Sequence, residues 1–248
     1  MKINIKYFFI YTVIFALFGA CNTSEEGNND QKKVISKITS KYLDYVGGEK
    51  VEVIEANTFV YDKNQVVKIE VSKDFCSNYT YDGSKILSSY GCNNGDKRNV
   101  FTYSGNKLVK ESSDEVINEF FYDLEKLKEI KTSYVTDNFT KKYSSKYYFS
   151  GNNVSSTIED EFWTSEPTIT EYKYDDKKNP FTNHSLYFKL IWGSEFLGEN
   201  NAIEKTIGNT VIKYTIIYDS ENYPIKVTGI NQETGELWTE YTYEYIKI

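Results

Sequence analysis

Histidine, proline and methionine are scarce in this chain, which has one histidine, three prolines and one methionine among 248 residues. The single histidine, His184, excludes a metal site built from several histidines of this chain. Because it follows Asn183 in a polar stretch, we expect it to be solvated. Proline is nearly absent and no long segment has helical periodicity, so strands can run uninterrupted. The sequence therefore predicts an all-β protein.

Catalytic patterns are missing as well. There is no glycine-rich phosphate loop and no calcium loop of the usual spacing, so we expect no cofactor. Cysteine–histidine catalysis would need a free thiol near His184. Glu159 and Glu161 share one face of a strand, but such carboxylate pairs are common on solvated surfaces. We expect a protein that is not an enzyme, with a carboxylate-dependent glycoside hydrolase as the less favoured alternative.

Basic charge is in deficit. The chain has 29 Lys and Arg against 36 Asp and Glu, a formal net charge of −7, and its basic residues do not concentrate in a patch. Nucleic-acid binding depends on neutralising phosphates. The composition therefore argues against a nucleic-acid partner.

The N-terminal segment predicts export. Lys2 and Lys6 precede an apolar run from Tyr7 to Ala20, which ends in two small residues. At 1.5 Å per residue the run spans about 21 Å, short of the roughly 30 Å hydrocarbon core of a bilayer. Residues 1–20 therefore have the layout of a cleaved signal peptide rather than of a membrane span.

The residues at the end of this segment, "LFGAC", resemble the lipobox of bacterial lipoproteins. The resemblance implies that Cys21 becomes the acylated N-terminus of an outer membrane lipoprotein. Two or more acyl chains on this residue would anchor the protein stably in the membrane. Residues 21–32, which include "NTSEEGNND", are polar and acidic and are predicted to form a flexible tether. This stretch is either a plain spacer or a signal similar to the Ser-acidic export signal of Bacteroidota surface lipoproteins, so the surface and the periplasmic face both stay open.

Two cysteines remain, Cys76 and Cys92, and an even number in an oxidising compartment predicts a disulfide. They flank a hairpin whose register has two solutions. A three-residue loop at 83–85 puts Cys76 opposite Cys92, within bridging reach. A four-residue loop closed by Tyr81 and Ile86 aligns the apolar residues slightly better but shifts the pairing by one residue. We favour the bridge.

A short aromatic motif recurs along the chain and organises it. Two large apolar side chains at i and i+2 are followed by Asp, Ser or Glu and usually by turn residues. Copies begin at Phe59, Tyr79, Phe101, Phe120, Tyr147, Tyr172, Ile216 and Tyr241. The spacing fits one two-strand unit per copy. It predicts a single domain over residues 33–248, an antiparallel meander of about 14–16 strands.

These units carry a family resemblance. "YTYDGSKIL" and "IIYDSENYPIK" resemble Tyr-Asp repeats of the RHS type, without the Gly-Arg-Leu that usually follows. Together with the lipobox, "FTYSGNKLVK", "YKYDDKKNPF" and "YDSENYPIKVTG" resemble a family of Bacteroidota lipoproteins of unknown function. The resemblance covers most of residues 31–248. It implies a porin-like β fold and no catalytic residue.

The polar phase of the strands carries charge, as in Lys142, Ser144 and Lys146 or in Glu240 and Glu244. Such a face belongs in water, whereas a membrane-spanning strand presents an apolar face to lipid. The aromatic phase is therefore predicted to line the interior of a flattened barrel or sandwich.

Two tryptophans break this rule, because the alternation places Trp163 and Trp238 on the polar phase, with Glu159 and Glu161 beside Trp163. An exposed indole can stack on a sugar ring or anchor a partner, and we take these four residues as candidate ligand-binding residues. The alternative is a strand end where the ring folds over a loop.

The motif fails between residues 179 and 201, where the apolar spacing predicts one short helix near residues 183–192, with Asn183 as a candidate N-cap. This segment either plugs an open end of the β structure or flanks a ligand pocket with Trp192 and His184. The sequence as a whole favours a cell-envelope lipoprotein that binds a glycan or another envelope protein, or has a structural role. A carrier of an apolar ligand inside the barrel is the alternative.

Overall fold

A computed structural model describes residues 31–72, 75–92, 97–136, 139–160 and 166–248. Residues 1–20, Cys21, the tether to residue 30, Glu161 and Trp163 lie outside the described residues. The described elements are sixteen strands, one short α-helix and one 3₁₀ turn at Ser194–Phe196: β1 Lys33–Val46, β2 Glu49–Asp62, β3 Gln65–Glu70, β4 Cys76–Asp82, β5 Lys85–Gly91, β6 Lys97–Ser104, β7 Lys107–Ser112, β8 Val116–Asp123, β9 Lys126–Thr136, β10 Phe139–Ser150, β11 Asn153–Asp160, β12 Thr168–Lys178, α1 Leu186–Leu190, β13 Asn200–Ile207, β14 Thr210–Tyr218, β15 Pro224–Asn231 and β16 Leu237–Lys247.

Each strand pairs antiparallel with its neighbours in sequence, and the sheet closes on itself. Closure is made by β1 and β16, whose register runs from Lys33 opposite Lys247 to Tyr42 opposite Thr239. A closed barrel has no free edge strand and so satisfies the backbone hydrogen bonds of its first and last strands. The predicted all-β meander is confirmed, and of the two architectures considered it is a barrel.

The aromatic phase faces inward, as predicted. The first ring of most motif copies is buried, for example Phe59, Tyr79 and Phe101 at 3%, 7% and 4% exposure. The outer face carries ion pairs between neighbouring strands, such as Lys37 with Glu244 and Lys173 with Glu204. The part of the chain that the structure describes has no helix with the length and apolarity needed to cross a bilayer.

A β-bulge recurs in the hairpins and was not predicted. In six hairpins the register shifts immediately before the second motif residue, so one residue of the returning strand has no partner. That residue follows a buried apolar side chain in each case: Val66, Ile86, Leu108, Leu127, Val154 or Pro224. Bulges increase local twist and coiling. Their regular recurrence helps the sheet to curve into a barrel.

The second motif tyrosine links successive hairpins. The hydroxyl of Tyr81 donates to the carbonyl oxygen of Val66 at 2.6 Å, and that of Tyr122 donates to Leu108 at 2.7 Å. Tyr245, two residues beyond the second ring of the last motif copy, makes the same contact with Pro224. Each hydroxyl thus reaches the carbonyl next to the bulge of the preceding hairpin. This gives the tyrosines a buried polar partner, which a tyrosine packed in a core needs.

The disulfide between Cys76 and Cys92 is present, with 5.2 Å between the two Cα atoms. The bulge combines the two registers considered for this hairpin. Near the turn, Tyr81 lies opposite Ile86, as in the four-residue solution. Beyond the bulge the pairing shifts by one residue, and the register continues towards Cys76 opposite Cys92.

Removing this disulfide is expected to lower the free energy of unfolding by about 2 to 3 kcal/mol, because the bridge closes a loop of roughly 15 residues in the unfolded chain. The measurement is urea unfolding of the wild type and of the double variant Cys76→Ser, Cys92→Ser. Alkylation of the folded wild type without reductant is the control. Two freely reacting thiols there would contradict the bridge.

The connection between β12 and β13 enters the barrel as a plug, which we define as residues 179–199. Its helix places Tyr187 and Phe188 against Tyr79, with ring centroids 6.1 and 5.2 Å away. Phe181 is fully buried and contacts Phe196 at 5.1 Å. The short helix is confirmed, and it belongs to the aromatic core.

Two details of the plug differ from the prediction. The helix begins after Ser185 rather than Asn183, and no side chain caps it. The amide of Asn183 donates instead to the carbonyl oxygen of Lys33 at 2.8 Å. His184 is largely buried, not solvated, and its Nε2 lies 2.8 Å from the hydroxyl oxygen of Tyr61. A polar neighbourhood in sequence does not reveal that the segment turns inward.

Candidate functional site

The two ends of the barrel differ. One end carries the two-residue turns of the motif hairpins, at 63–64, 83–84, 105–106, 124–125 and 151–152, and the plug enters from this end. The opposite end, which we call the mouth, carries the described connections that follow odd-numbered strands, such as 47–48 and 232–236. The plug residue Trp192 and side chains of the rim line a common space at this end.

A cavity of ≈ 540 Å³ lies at this end, and we call it the mouth cavity. It is bounded by the end of β1, the start of β2, the β15–β16 connection and the plug residue Trp192. Both aromatic and polar side chains line it: Ser40, Tyr42, Leu43, Tyr45, Lys50, Trp192, Asn231, Thr234, Glu236, Leu237, Trp238, Thr239 and Tyr241. Rings with a few placed polar groups are typical of small-molecule sites.

Trp238 lines this cavity because of a bulge. Gly229 pairs with Thr239, and Ile230 pairs with Leu237, which leaves Trp238 as the unpaired extra residue of β16. Bulges re-aim side chains, and here the ring lies at the cavity rim with 41% of its surface exposed. Tyr45, at 66% exposure, stands on the same rim. The two rings form an accessible aromatic surface.

A charge pair completes the rim. The ammonium of Lys50 donates to the carboxylate of Glu236, joining the β1–β2 hairpin to the β15–β16 connection. This hydrogen bond raises the pKa of Lys50 above its usual value. The same ammonium lies 5.8 Å from the centre of the Tyr45 ring, a cation–π distance. The rim therefore offers hydrogen-bond donors and acceptors beside its rings.

Two smaller cavities adjoin the tip of the plug. One, of ≈ 340 Å³, shares Ser40 and Trp192 with the mouth cavity and also contains Arg98. The other, of ≈ 240 Å³, contains Glu111 and is lined in part by the plug residue Ile191. The tip of the plug is thus the common floor of the space inside the mouth. Trp192 plays both roles considered for its segment, as part of the plug and as part of a pocket.

Glu159 does not share the setting of Trp238. The bulge between β10 and β11 shifts the alternation, so Glu159 follows the fully buried Thr157 on the inward phase rather than the outer one. Burial and, next, the charge of Glu159 raise the pKa of Tyr147, a ring that packs against the core. Four strands separate Glu159 on β11 from Trp238 on β16.

The sequence did not identify Tyr42, Tyr45, Lys50 and Glu236 as candidates. They converge only because β1 closes onto β16, a pairing between the two ends of the domain. The one local feature that distinguishes this region is the length of β1 and β2, which have 14 residues each. This length extends the β1–β2 hairpin to the rim.

On the side of β14 and β16 the plug packs closely against the barrel wall. A gap of ≈ 30 Å³ lies between Phe196 and the rings of Tyr214, Tyr241 and Tyr243, room for about one water molecule. Within the described ranges, no three His, Cys, Asp or Glu side chains come together in a way that could hold a metal ion.

No protein-family model matches the chain, and no curated protein matches it. Among solved structures, it is similar to a porin-like protein from Bacteroides vulgatus, with 14% identity and a TM-score of 0.47 over 87% of this chain and 99% of that one. It is also similar to a porin-like protein from Bacteroides uniformis, with 12% identity and a TM-score of 0.44 over 86% of this chain and 98% of that one. A chain of TcdB2-TccC3-TEV is 15% identical with a TM-score of 0.32, over 81% of this chain and 11% of that one.

Proposed function

We propose that this protein is an outer membrane lipoprotein whose barrel binds a glycan at its mouth and does not catalyse a reaction. The observation that carries the proposal is the exposed Trp238 ring at the rim of a ≈ 540 Å³ cavity that also presents polar side chains. A sugar ring has an apolar face that stacks on an indole and hydroxyls that need donors and acceptors. The mouth cavity offers both.

Binding without hydrolysis is supported by the carboxylates of the cavity. Glycoside hydrolysis generally uses two carboxyl groups flanking the bond that is cut. Among the residues lining the mouth cavity, Glu236 is the one carboxylate, and it is paired with Lys50. The cavity is therefore suited to recognition.

Replacing Trp238 with alanine should weaken glycan binding by about 2 kcal/mol, roughly thirtyfold, the size of an interface hot spot. The melting temperature of the variant should change little, because much of the Trp238 ring is already exposed. A glycan array identifies the ligand, and calorimetry compares the variants. Tyr148→Ala is the matched control, since Tyr148 on β10 is 46% exposed and should bind as the wild type does. Unchanged binding by Trp238→Ala would refute the site.

The anchor has a separate test. Replacing Cys21 with serine should abolish acylation and move the protein from the membrane fraction to the soluble fraction, because the thiol that carries the lipid is lost. The measurement is cell fractionation with mass analysis of the mature N-terminus. A wild type as soluble and unacylated as the variant would show that the protein is not lipidated at Cys21.

A further inference from the structure

The cavity around Glu111 contains a carboxylate whose position is fixed by neighbouring side chains. The Glu111 carboxylate on β7 accepts a hydrogen bond from the amide of Asn118 at 3.0 Å. Thr132 donates to the other end of that amide at 2.7 Å and so fixes its orientation. The hydroxyl of Tyr187, from the plug, lies near the same carboxylate and acts to lower its pKa. Side chains of β8 and β9 therefore hold Glu111 in place, with the plug beside it.

No cation of the described residues balances this carboxylate. Glu111 takes part in none of their ion pairs, and the lining of its cavity includes neither lysine nor arginine. Partial burial raises the pKa of Glu111 above its usual value, and the hydrogen bond from Asn118 and the nearby Tyr187 hydroxyl only partly oppose this. Withdrawing a carboxylate from water without a cationic partner is costly. The cavity therefore favours a positive charge that the described chain does not supply.

Aromatic rings surround the rest of the cavity. Phe120, Tyr143, Tyr147 and Tyr187 line it together with Glu111. The Tyr187 ring is itself held edge-on by Phe101 at 4.8 Å. The faces of such rings carry negative charge density and attract organic cations.

We propose that the Glu111 cavity binds an organic ammonium ion, with the charged nitrogen near the Glu111 carboxylate and its alkyl groups against the tyrosine and phenylalanine rings. A volume of ≈ 240 Å³ accommodates a small quaternary ammonium compound. An anion would be repelled by Glu111, and a neutral sugar would leave the carboxylate charge unbalanced. The ammonium site is independent of the glycan site proposed at the mouth.

Choline is a suitable probe, and its uncharged isostere, in which a quaternary carbon replaces the nitrogen, is the matched control compound. Calorimetry on the wild-type protein should show binding of choline and at least about tenfold weaker binding of the isostere, since only the charged compound gains the carboxylate and cation–π contacts. Equal affinity for the two compounds, or no binding of choline, would overturn the proposal. This comparison needs no variant.

Variants locate the site. Glu111→Gln keeps an acceptor for Asn118 but removes the charge, and it should lower choline affinity at least about tenfold. Glu119→Gln on the neighbouring strand β8, where Glu119 is exposed, should bind choline as the wild type does. Trp238→Ala should also retain choline binding, which separates this site from the mouth. Full choline affinity in Glu111→Gln would refute the assignment.

Discussion

Replacing Phe181 with alanine is expected to destabilise the protein by about 3 to 5 kcal/mol, the range for truncating a buried phenylalanine. Phe181 is fully buried in the plug, and its ring lies 5.1 Å from that of Phe196 and 5.8 Å from that of Trp192. The alanine would leave a cavity beside Phe196 and Trp192, whose rings pack against rings of the barrel strands. The loss should appear as a lower denaturant midpoint with an unchanged slope.

The matched control is Phe121→Ala, because Phe121 has 40% of its surface exposed on β8. Its replacement should cost less than about 1 kcal/mol, as exposed substitutions usually do. Equal losses for the two variants would contradict the packing of the plug within the barrel.

Acidification is expected to remove roughly 3 to 4 kcal/mol of stability through His184, about 1.4 kcal/mol per unit of pKa shift. Burial, with a smaller effect of Lys189, lowers the pKa of His184 from 6.5 to about 4. A histidine whose pKa is lower in the folded state contributes its stability above pH 6.5 and loses it as the pH falls through 4. The unfolded chain takes up the proton first.

The hydrogen bonds show which nitrogen of His184 burial affects. The Tyr61 hydroxyl donates its one proton to the carbonyl oxygen of Ile35 at 2.5 Å. The Nε2 of His184 must then be the donor to Tyr61, and the proton gained in acid goes to Nδ1. Among the described residues, that nitrogen is buried and has no hydrogen-bond partner. The charged ring would therefore lack both solvent and an acceptor.

Unfolding free energies of the wild type and of His184→Gln, measured between pH 7 and pH 4, test this account. The histidine contribution is the difference between the two pH profiles, which cancels carboxylates common to both proteins. The wild type should lose more stability than the variant over this range. Parallel profiles would show that His184 titrates as a solvated histidine.

Much of the barrel is predictable because its signal is local and repeated. Each motif copy predicts a strand, the residues of that strand that face inward, and the turn that follows. The two cysteines of the disulfide indicate one further hairpin pairing. The bulges carry no comparable signal in the sequence, since their partnerless residues are as different as Leu87, Val109 and Lys128. A strict alternation carried across a bulge assigns the wrong face, as happened for Glu159.

The candidate site was harder to predict than the fold. Trp238 was recognisable as a ring on a polar phase, but its cavity depends on the long-range pairing of β1 with β16. The failure of the motif at residues 179–201 indicated a special segment. Whether that segment would lie in solvent, as assumed for His184, or inside the barrel depends on packing that no local pattern records.

The most direct test of ligand binding at the mouth is to map the backbone and indole NMR shifts of the protein as the glycan is added. The account predicts changes at Trp238, Tyr42 and Tyr45, including the Trp238 indole N–H, and none at the hairpin turns around Gly105 and Gly151. Changes confined to those turns or to the outer face of the barrel, with the mouth undisturbed, would contradict it.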